Sequence, residues 1–188
     1  MPITIGAKRE SDFTDPIGMM GDCHRRIERF LDVLVSLARQ QNGGPLDEAQ
    51  RTALTTSLRY FREAAPKHTA DEEESLFPRL RQTGNPEAVA LLAQMEALEQ
   101  EHESASSVHD EVDRWSRRWL EQRTLGPDDA SKLSAALEQL ALLYRRHIAI
   151  EDTEVFPAAS KILSDADRKS VGAEMARRRG LAAIEDRH

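Results

Sequence analysis

One pattern of residues occurs twice in the chain and limits its fold more than any other feature. His68-Thr69-Ala70-Asp71-Glu72-Glu73-Glu74-Ser75-Leu76-Phe77-Pro78 and His147-Ile148-Ala149-Ile150-Glu151-Asp152-Thr153-Glu154-Val155-Phe156-Pro157 both read His, then Glu four positions on, then an aliphatic residue, Phe and Pro. A lone histidine precedes each copy: His24 lies 44 residues before His68, and His102 lies 45 residues before His147. The chain is therefore two helical hairpins of one design, each with one His on its first helix and His-x-x-x-Glu on its second. Residues four apart on an α-helix are separated by about 40° around the axis and by one turn along it. His68 and Glu72 thus share one stripe, as do His147 and Glu151. In an antiparallel bundle all the stripes can face one central depth, bringing four imidazoles and two carboxylates into a mostly apolar core. Burying such groups without partners costs several kcal/mol each, and a pair of metal ions removes that cost.

The rest of the sequence supplies the helices. Ala, Leu, Glu, Arg and Gln dominate, all good helix formers, and aromatic residues are only 5%, too few for a typical β-sandwich. Asp15-Pro16 signals a helix start. Ile17, Met20, Ile27, Phe30, Leu31, Leu34 and Leu37 follow at helical spacing, up to the turn at Asn42-Gly43-Gly44-Pro45. A second helix is predicted from near Leu46, with Leu54, Leu58 and Phe61 on its apolar face, a kink at Pro66 and a continuation through His68 to about Arg81. Thr83-Gly84-Asn85-Pro86 breaks it. A third is predicted from Glu87 towards Leu120, carrying Val89, Leu92, Met95, Leu98, Val108, Val112 and Trp115. After Gly126-Pro127-Asp128-Asp129, a fourth runs from about Ala130 to Leu163 with Leu133, Leu137, Leu140, Leu143, Tyr144, Ile148 and Val155 inside. A shorter helix is expected over residues 165–178, and the last ten residues should fray. Short turns between long helices make neighbours antiparallel. The expected fold is all-α: an up-down-up-down four-helix bundle with a short extra C-terminal helix. It forms one domain over residues 1–188, with an arm at 1–14, the bundle at 15–163 and the helix and tail at 164–188.

Composition excludes several classes of function. A net charge of −7 argues against nucleic acid and against an anionic membrane surface as partners. One cysteine, Cys23, allows neither an internal disulfide nor a thiolate cage, and it reads as a small buried side chain. The N-terminus lacks the charged start and long apolar run of a signal peptide, and no stretch is long and apolar enough to span a membrane. Cytoplasm is the expected compartment.

Imidazole and carboxylate without thiolate suit iron, manganese or zinc, whereas calcium or magnesium would want more oxygen ligands. Two histidines from each hairpin, with two carboxylates able to bridge, favour a dinuclear centre. The duplicated His-x-x-x-Glu…Phe-Pro motif with its upstream histidines resembles the hemerythrin-like, HHE cation-binding domains over roughly residues 15 to 160. The resemblance implies two iron ions joined by an oxo or hydroxo bridge, and chemistry with oxygen, nitric oxide, peroxide or iron itself. Carried over position by position, the ligands are His24, His68, Glu72, His102, His147 and Glu151. Zinc or manganese would also fit the donor set.

The chain departs from the oxygen carriers at one position. Carriers have a further histidine four residues after the third-helix ligand, and here that residue is Ser106. With both carboxylates and a hydroxide bridging, this leaves a vacant position on each iron, a pattern closer to a redox-active or iron-handling site than to a reversible carrier. Water, Glu28, His109, Glu154 or Tyr144 are candidates to fill a vacancy, and Asp152 is the alternative to Glu151. Glu154 shares the ligand stripe, either orienting an imidazole or facing solvent. Asp71, Glu73 and Glu74 read as a solvated acidic face, Arg177-Arg178-Arg179 as a solvated tail, Trp115 and Trp119 as packing, and His188 as terminal.

Four functions compete on this reading. The first is a di-iron protein that binds or senses oxygen or nitric oxide or handles iron. The second is a di-iron oxidoreductase consuming peroxide or nitric oxide. A ferritin-like oxidase needs Glu-x-x-His on two helices, and only Glu99 with His102 provides it. A metal-free helical module leaves the duplicated ligands without a purpose.

Overall fold

The structure is a computed structural model, and it describes residues 10–181. The expectations for the first nine residues, for the tail beyond 181 and for His188 lie outside the described residues. Four arms form the bundle. The first is α1 (Pro16–Gln41), capped by Asp15, whose carboxylate accepts from the Gly18 N–H at 3.1 Å. It ends where Asn42 turns left-handed, followed by Gly43 at φ 77°, a conformation that glycine adopts without a Cβ penalty. The second arm comprises α2 (Glu48–Glu63), α3 (Ala65–Asp71), a π turn over Glu72–Leu76 and α4 (Phe77–Gln82). Pro66 produces the expected interruption, at Ala64, because it has no N–H to give and its ring crowds the preceding turn.

The third arm differs from the single helix expected from Glu87. A short α5 (Pro86–Ala90), capped by Asn85, stops at Leu91, and α6 (Leu92–Gln122) starts afresh. Leu91 donates to the Ala88 carbonyl, a tightened turn that points the Leu91 side chain into the core and leaves Val89, expected inside, 52% exposed. The fourth arm is α7 (Pro127–Ile150), a second π turn over Glu151–Val155 and α8 (Phe156–Ile162). The fifth helix, α9 (Asp165–Arg178), has the predicted limits and a Ser164/Asp167 capping box. Around the bundle, α1 packs on α2 and α7, and α6 packs on the same two, as consecutive antiparallel arms require.

The two Phe-Pro pairs do not stop their helices. Each follows a π turn in which the Phe N–H reaches back five residues, Phe77 to the Glu72 carbonyl and Phe156 to the Glu151 carbonyl. The wider turn makes room for the proline rings of Pro78 and Pro157, so the helix continues. Both π turns begin at the glutamate of the duplicated motif.

The core has two apolar clusters. One contains Ile17, Met20, Leu76, Phe77, Met95, Leu98, Val155 and Phe156. The other contains Leu31, Leu34, Leu54, Leu58, Val112, Leu133, Leu137 and Leu140. On every arm, the histidines and glutamates of the motif fall in the stretch of sequence between these clusters. At the far end of the second cluster, Trp119 Nε1 donates to the Gly44 carbonyl at 2.8 Å and Leu125 N–H to the Gly43 carbonyl at 2.7 Å, tying two inter-helix turns together. Trp119 is thus a packing residue, as expected.

Candidate metal centre

The helix spacing that aligns each His-x-x-x-Glu pair, together with the alternating direction of the arms, brings six side chains to one buried point. His24 comes from α1, His68 and Glu72 from the second arm, His102 from α6, and His147 and Glu151 from the fourth. Both glutamates are fully buried, and His24, His68 and His147 are nearly so. His24 Nε2 lies 3.1 Å from Glu151 Oε2 and 3.7 Å from Glu72 Oε1. His68 Nε2 is 3.2 Å from Glu72 Oε1, His102 Nε2 is 3.6 Å from Glu72 Oε2, and His147 Nε2 is 3.3 Å from Glu151 Oε2.

These donors form two groups able to hold a cation. His24, His68, Glu72 and Glu151 make one, and Glu72, His102, His147 and Glu151 make the other, with ligand atoms within 4.8 Å of one another in each. Both carboxylates belong to both groups, whereas each imidazole belongs to one. The donor set fits a metal pair on a second count. His24 Nε2 and all four carboxylate oxygens of Glu72 and Glu151 are buried without a hydrogen-bond partner, a cost that a cation in their midst would relieve.

Burial and the facing charges shift the titration of these groups. Burial, then the facing Glu151 carboxylate, push Glu72 up to about 8. Burial favours a neutral Glu151 too, but the His147 and His24 imidazoles, with Nε2 atoms 3.3 and 3.1 Å from its Oε2, outweigh it and hold its pKa far below the ordinary value. Burial also acts to lower His24 and His147. Asp152, Glu151 and Glu72 reverse this for His24, and Glu151 does so for His147, so both end raised. His68 is lowered by burial and by neighbouring His24, and His102 by burial and by His147. Metal uptake therefore displaces protons.

Behind the imidazoles stand three carboxylates, two of which the sequence reading placed elsewhere and one, Glu101, which it did not consider. Asp152 Oδ1 lies 2.7 Å from His24 Nδ1, so Asp152 supports a histidine and does not replace Glu151. Glu73 Oε1 lies 2.8 Å from His102 Nδ1, not on a solvated face. Glu101 Oε2 lies 3.0 Å from His147 Nδ1. The support crosses between hairpins: the acid five residues after each motif histidine backs the lone histidine of the other hairpin. An acid at that place in both copies was the available signal. His68 breaks the pattern, with Nδ1 buried and unpartnered. Cys23 precedes His24 where Glu101 precedes His102, and it is buried as a free thiol.

The other candidates do not join either group. Glu28 is exposed on α1. Glu154 is exposed and accepts from Gln94 Nε2 at 2.6 Å, so it orients no imidazole. His109 Nε2 pairs with the Tyr144 hydroxyl at 2.8 Å, and burial lowers its pKa to about 4. Tyr144 lines the narrow central chamber of about 10 Å³ together with all four motif histidines. It also lines a larger cavity of about 530 Å³, shared with His102, Ser106 and His109. Asp71 is fully buried and paired with Arg178 and Arg179, so neither Asp71 nor that stretch of the tail is solvated as expected.

A helical bundle whose four arms converge on buried histidines and shared carboxylates defines a metal-binding helical protein. The family model described as Hemerythrin HHE cation binding domain matches residues 15–159, and the chain belongs to that family. The chain is also similar to a protein of Haemophilus influenzae (strain ATCC 51907 / DSM 11121 / KW20 / Rd) described only as uncharacterized. The two are 27% identical over 168 residues, covering 89% of this chain and 91% of the relative. Among the described residues, no helix is long and apolar enough to cross a membrane.

Proposed function

We propose that the chain is a non-haem di-iron protein that binds or senses oxygen or nitric oxide or handles iron. His24 and His68 would hold one ion, His102 and His147 the other, and Glu72 and Glu151 would be shared between them. The observation that carries this reading is the sharing itself: two donor groups with separate histidine pairs and both carboxylates in common. A donor set of nitrogen and oxygen atoms suits iron, with zinc and manganese as competitors. Bound as a bridged pair, iron would supply one-electron redox steps and open positions for a small ligand. The chain's own contribution is to exclude bulk water between two apolar clusters and to fix three imidazoles through Asp152, Glu73 and Glu101.

Metal analysis and optical spectra of anaerobically purified protein test the proposal. Two irons per chain, with an absorption band that changes on adding oxygen or nitric oxide, are expected. One zinc, or no metal after iron supply, refutes it. The second reading, a peroxide- or nitric-oxide-consuming oxidoreductase, is favoured by the cavity of about 530 Å³ beside His102, where Ser106 stands in the place of a carrier's further histidine. Rapid peroxide or nitric oxide turnover by the iron-loaded protein, lost in His68→Ala, is its expected signature.

A further inference from the structure

The π turn that presents Glu72 is held from outside the bundle. Asp71, the residue before Glu72, is fully buried, and both its carboxylate oxygens are taken by guanidinium groups at the end of α9. Arg178 Nη1 lies 2.9 Å from Oδ1, and Arg179 Nη2 lies 2.6 Å from Oδ2. Arg178 continues along the turn, donating to the Ser75 hydroxyl at 2.8 Å and to Glu74 at 3.1 Å. Beyond the turn, Arg79 grips Glu174 of α9 through two bonds of 2.9 and 2.8 Å, and it donates to the Ser75 carbonyl at 2.8 Å.

The helix that delivers these groups is seated closely. Val171 and Met175 are fully buried in the same apolar cluster as Leu76 and Phe77. Gly172 lies so near the N-terminal segment that a Cβ there would stand 2.0 Å from the Phe13 carbonyl oxygen. Among the described residues, the second π turn has no equivalent. Ile150 stands where Asp71 does, Glu154 where Ser75 does and Ala158 where Arg79 does. The family match ends at residue 159, before α9 begins.

We propose that Asp71, Arg178 and Arg179 are positioning residues that set Glu72 for the metal pair, so that docking of α9 and loading of metal are linked. The proposal rests on the reading of Glu72 as a shared ligand. A buried carboxylate that loses both guanidinium partners is strongly destabilised and has to turn towards water. Asp71 ends α3 and Glu72 is the next residue on that backbone, so a displacement of Asp71 passes directly to Glu72. Linkage is reciprocal: what holds α9 in place raises metal affinity, and bound metal holds α9 in place. Among the described residues, only Glu72 of the two glutamates is governed in this way.

The test uses the full chain and Zn²⁺ as probe. In the wild-type protein, saturation with Zn²⁺ should slow amide exchange across α9 by about tenfold or more, although no ligand lies on that helix. Arg178→Gln/Arg179→Gln should lower Zn²⁺ affinity by about 10- to 100-fold. Arg178→Lys/Arg179→Lys should recover most of that loss. Leu54→Ala, in the other apolar cluster, should lower the melting temperature while leaving Zn²⁺ affinity within about threefold of wild type. Zn²⁺ uptake with unchanged exchange in α9 overturns the proposal and leaves the ligand reading intact, as does equal loss of affinity in Leu54→Ala and the glutamine variant. Failure of the full chain to take up Zn²⁺ overturns both.

Discussion

Replacing Glu72 by Gln should act in opposite directions on the metal-free and metal-loaded protein. In the metal-free chain, burial and the facing Glu151 carboxylate raise Glu72 from 4.5 to about 8. At pH 7 the unfolded chain would release that proton and the folded chain keeps it. The difference costs about 3 kcal/mol of stability at about 1.4 kcal/mol per pKa unit. Glu72 is fully buried, so solvent screening removes little of this. A glutamine avoids that cost but keeps a buried amide with incomplete hydrogen bonding, worth about 1–2 kcal/mol in the other direction. The net gain of about 1–2 kcal/mol should raise the melting temperature of chelator-treated Glu72→Gln by roughly 2–8 °C. Metal uptake should fall, because one of the two shared anionic donors is gone. Thermal denaturation followed by circular dichroism, with and without chelator, and elemental analysis measure the two effects. The reasoning is refuted if metal-free Glu72→Gln melts below the metal-free wild type, or if the variant retains metal as the wild type does.

Three further outcomes follow from particular contacts. Asp152→Asn removes the carboxylate behind His24 Nδ1 and should weaken metal binding by about 10- to 100-fold; competition with a chromogenic chelator measures this, and an unchanged affinity would remove Asp152 from the site. Between about pH 6.5 and 8 the folded metal-free chain holds the Glu72 proton and the raised His24 and His147 protons more tightly than the unfolded chain. Its stability should therefore fall as pH rises through that window while metal affinity rises, and the metal-induced increase in melting temperature should grow, as parallel melts across the window would show. Trp119→Phe leaves the Gly44 carbonyl without its donor and should cost about 1–3 kcal/mol of stability in denaturant unfolding, with metal content unchanged.

Much of the metal centre was legible because its information is local. The four-residue spacing of His68 with Glu72 and of His147 with Glu151 is fixed by the helix repeat, and the turns at Asn42-Gly43, Gly84-Asn85 and Gly126-Pro127 set the alternation of the arms. The six motif residues consequently meet where the duplicated pattern placed them. Local reading also had limits within single arms. The predicted helices run through Pro78 and Pro157, as they do in the structure, but periodicity did not show that a π turn before each Phe-Pro pair is what accommodates the ring. The break at Leu91 carries no Gly or Pro to announce it.

What tertiary structure decided was which groups face each other across arms. Glu73 and Asp152 lie about 140° around their helices from the histidines of their own motifs. Taken alone, that angle reads as a solvent face, yet here it is the seam with a neighbouring arm, where each meets the lone histidine of the other hairpin. Asp71 and Arg178 are 107 residues apart, and no periodicity connects them; they meet because α9 folds back onto the π turn. The sequence by itself determined which histidine and glutamate share a helix face, since residues four apart lie about one turn from each other. The partners behind those ligands depend on how the helices are rotated and packed against one another, and only the assembled bundle sets that.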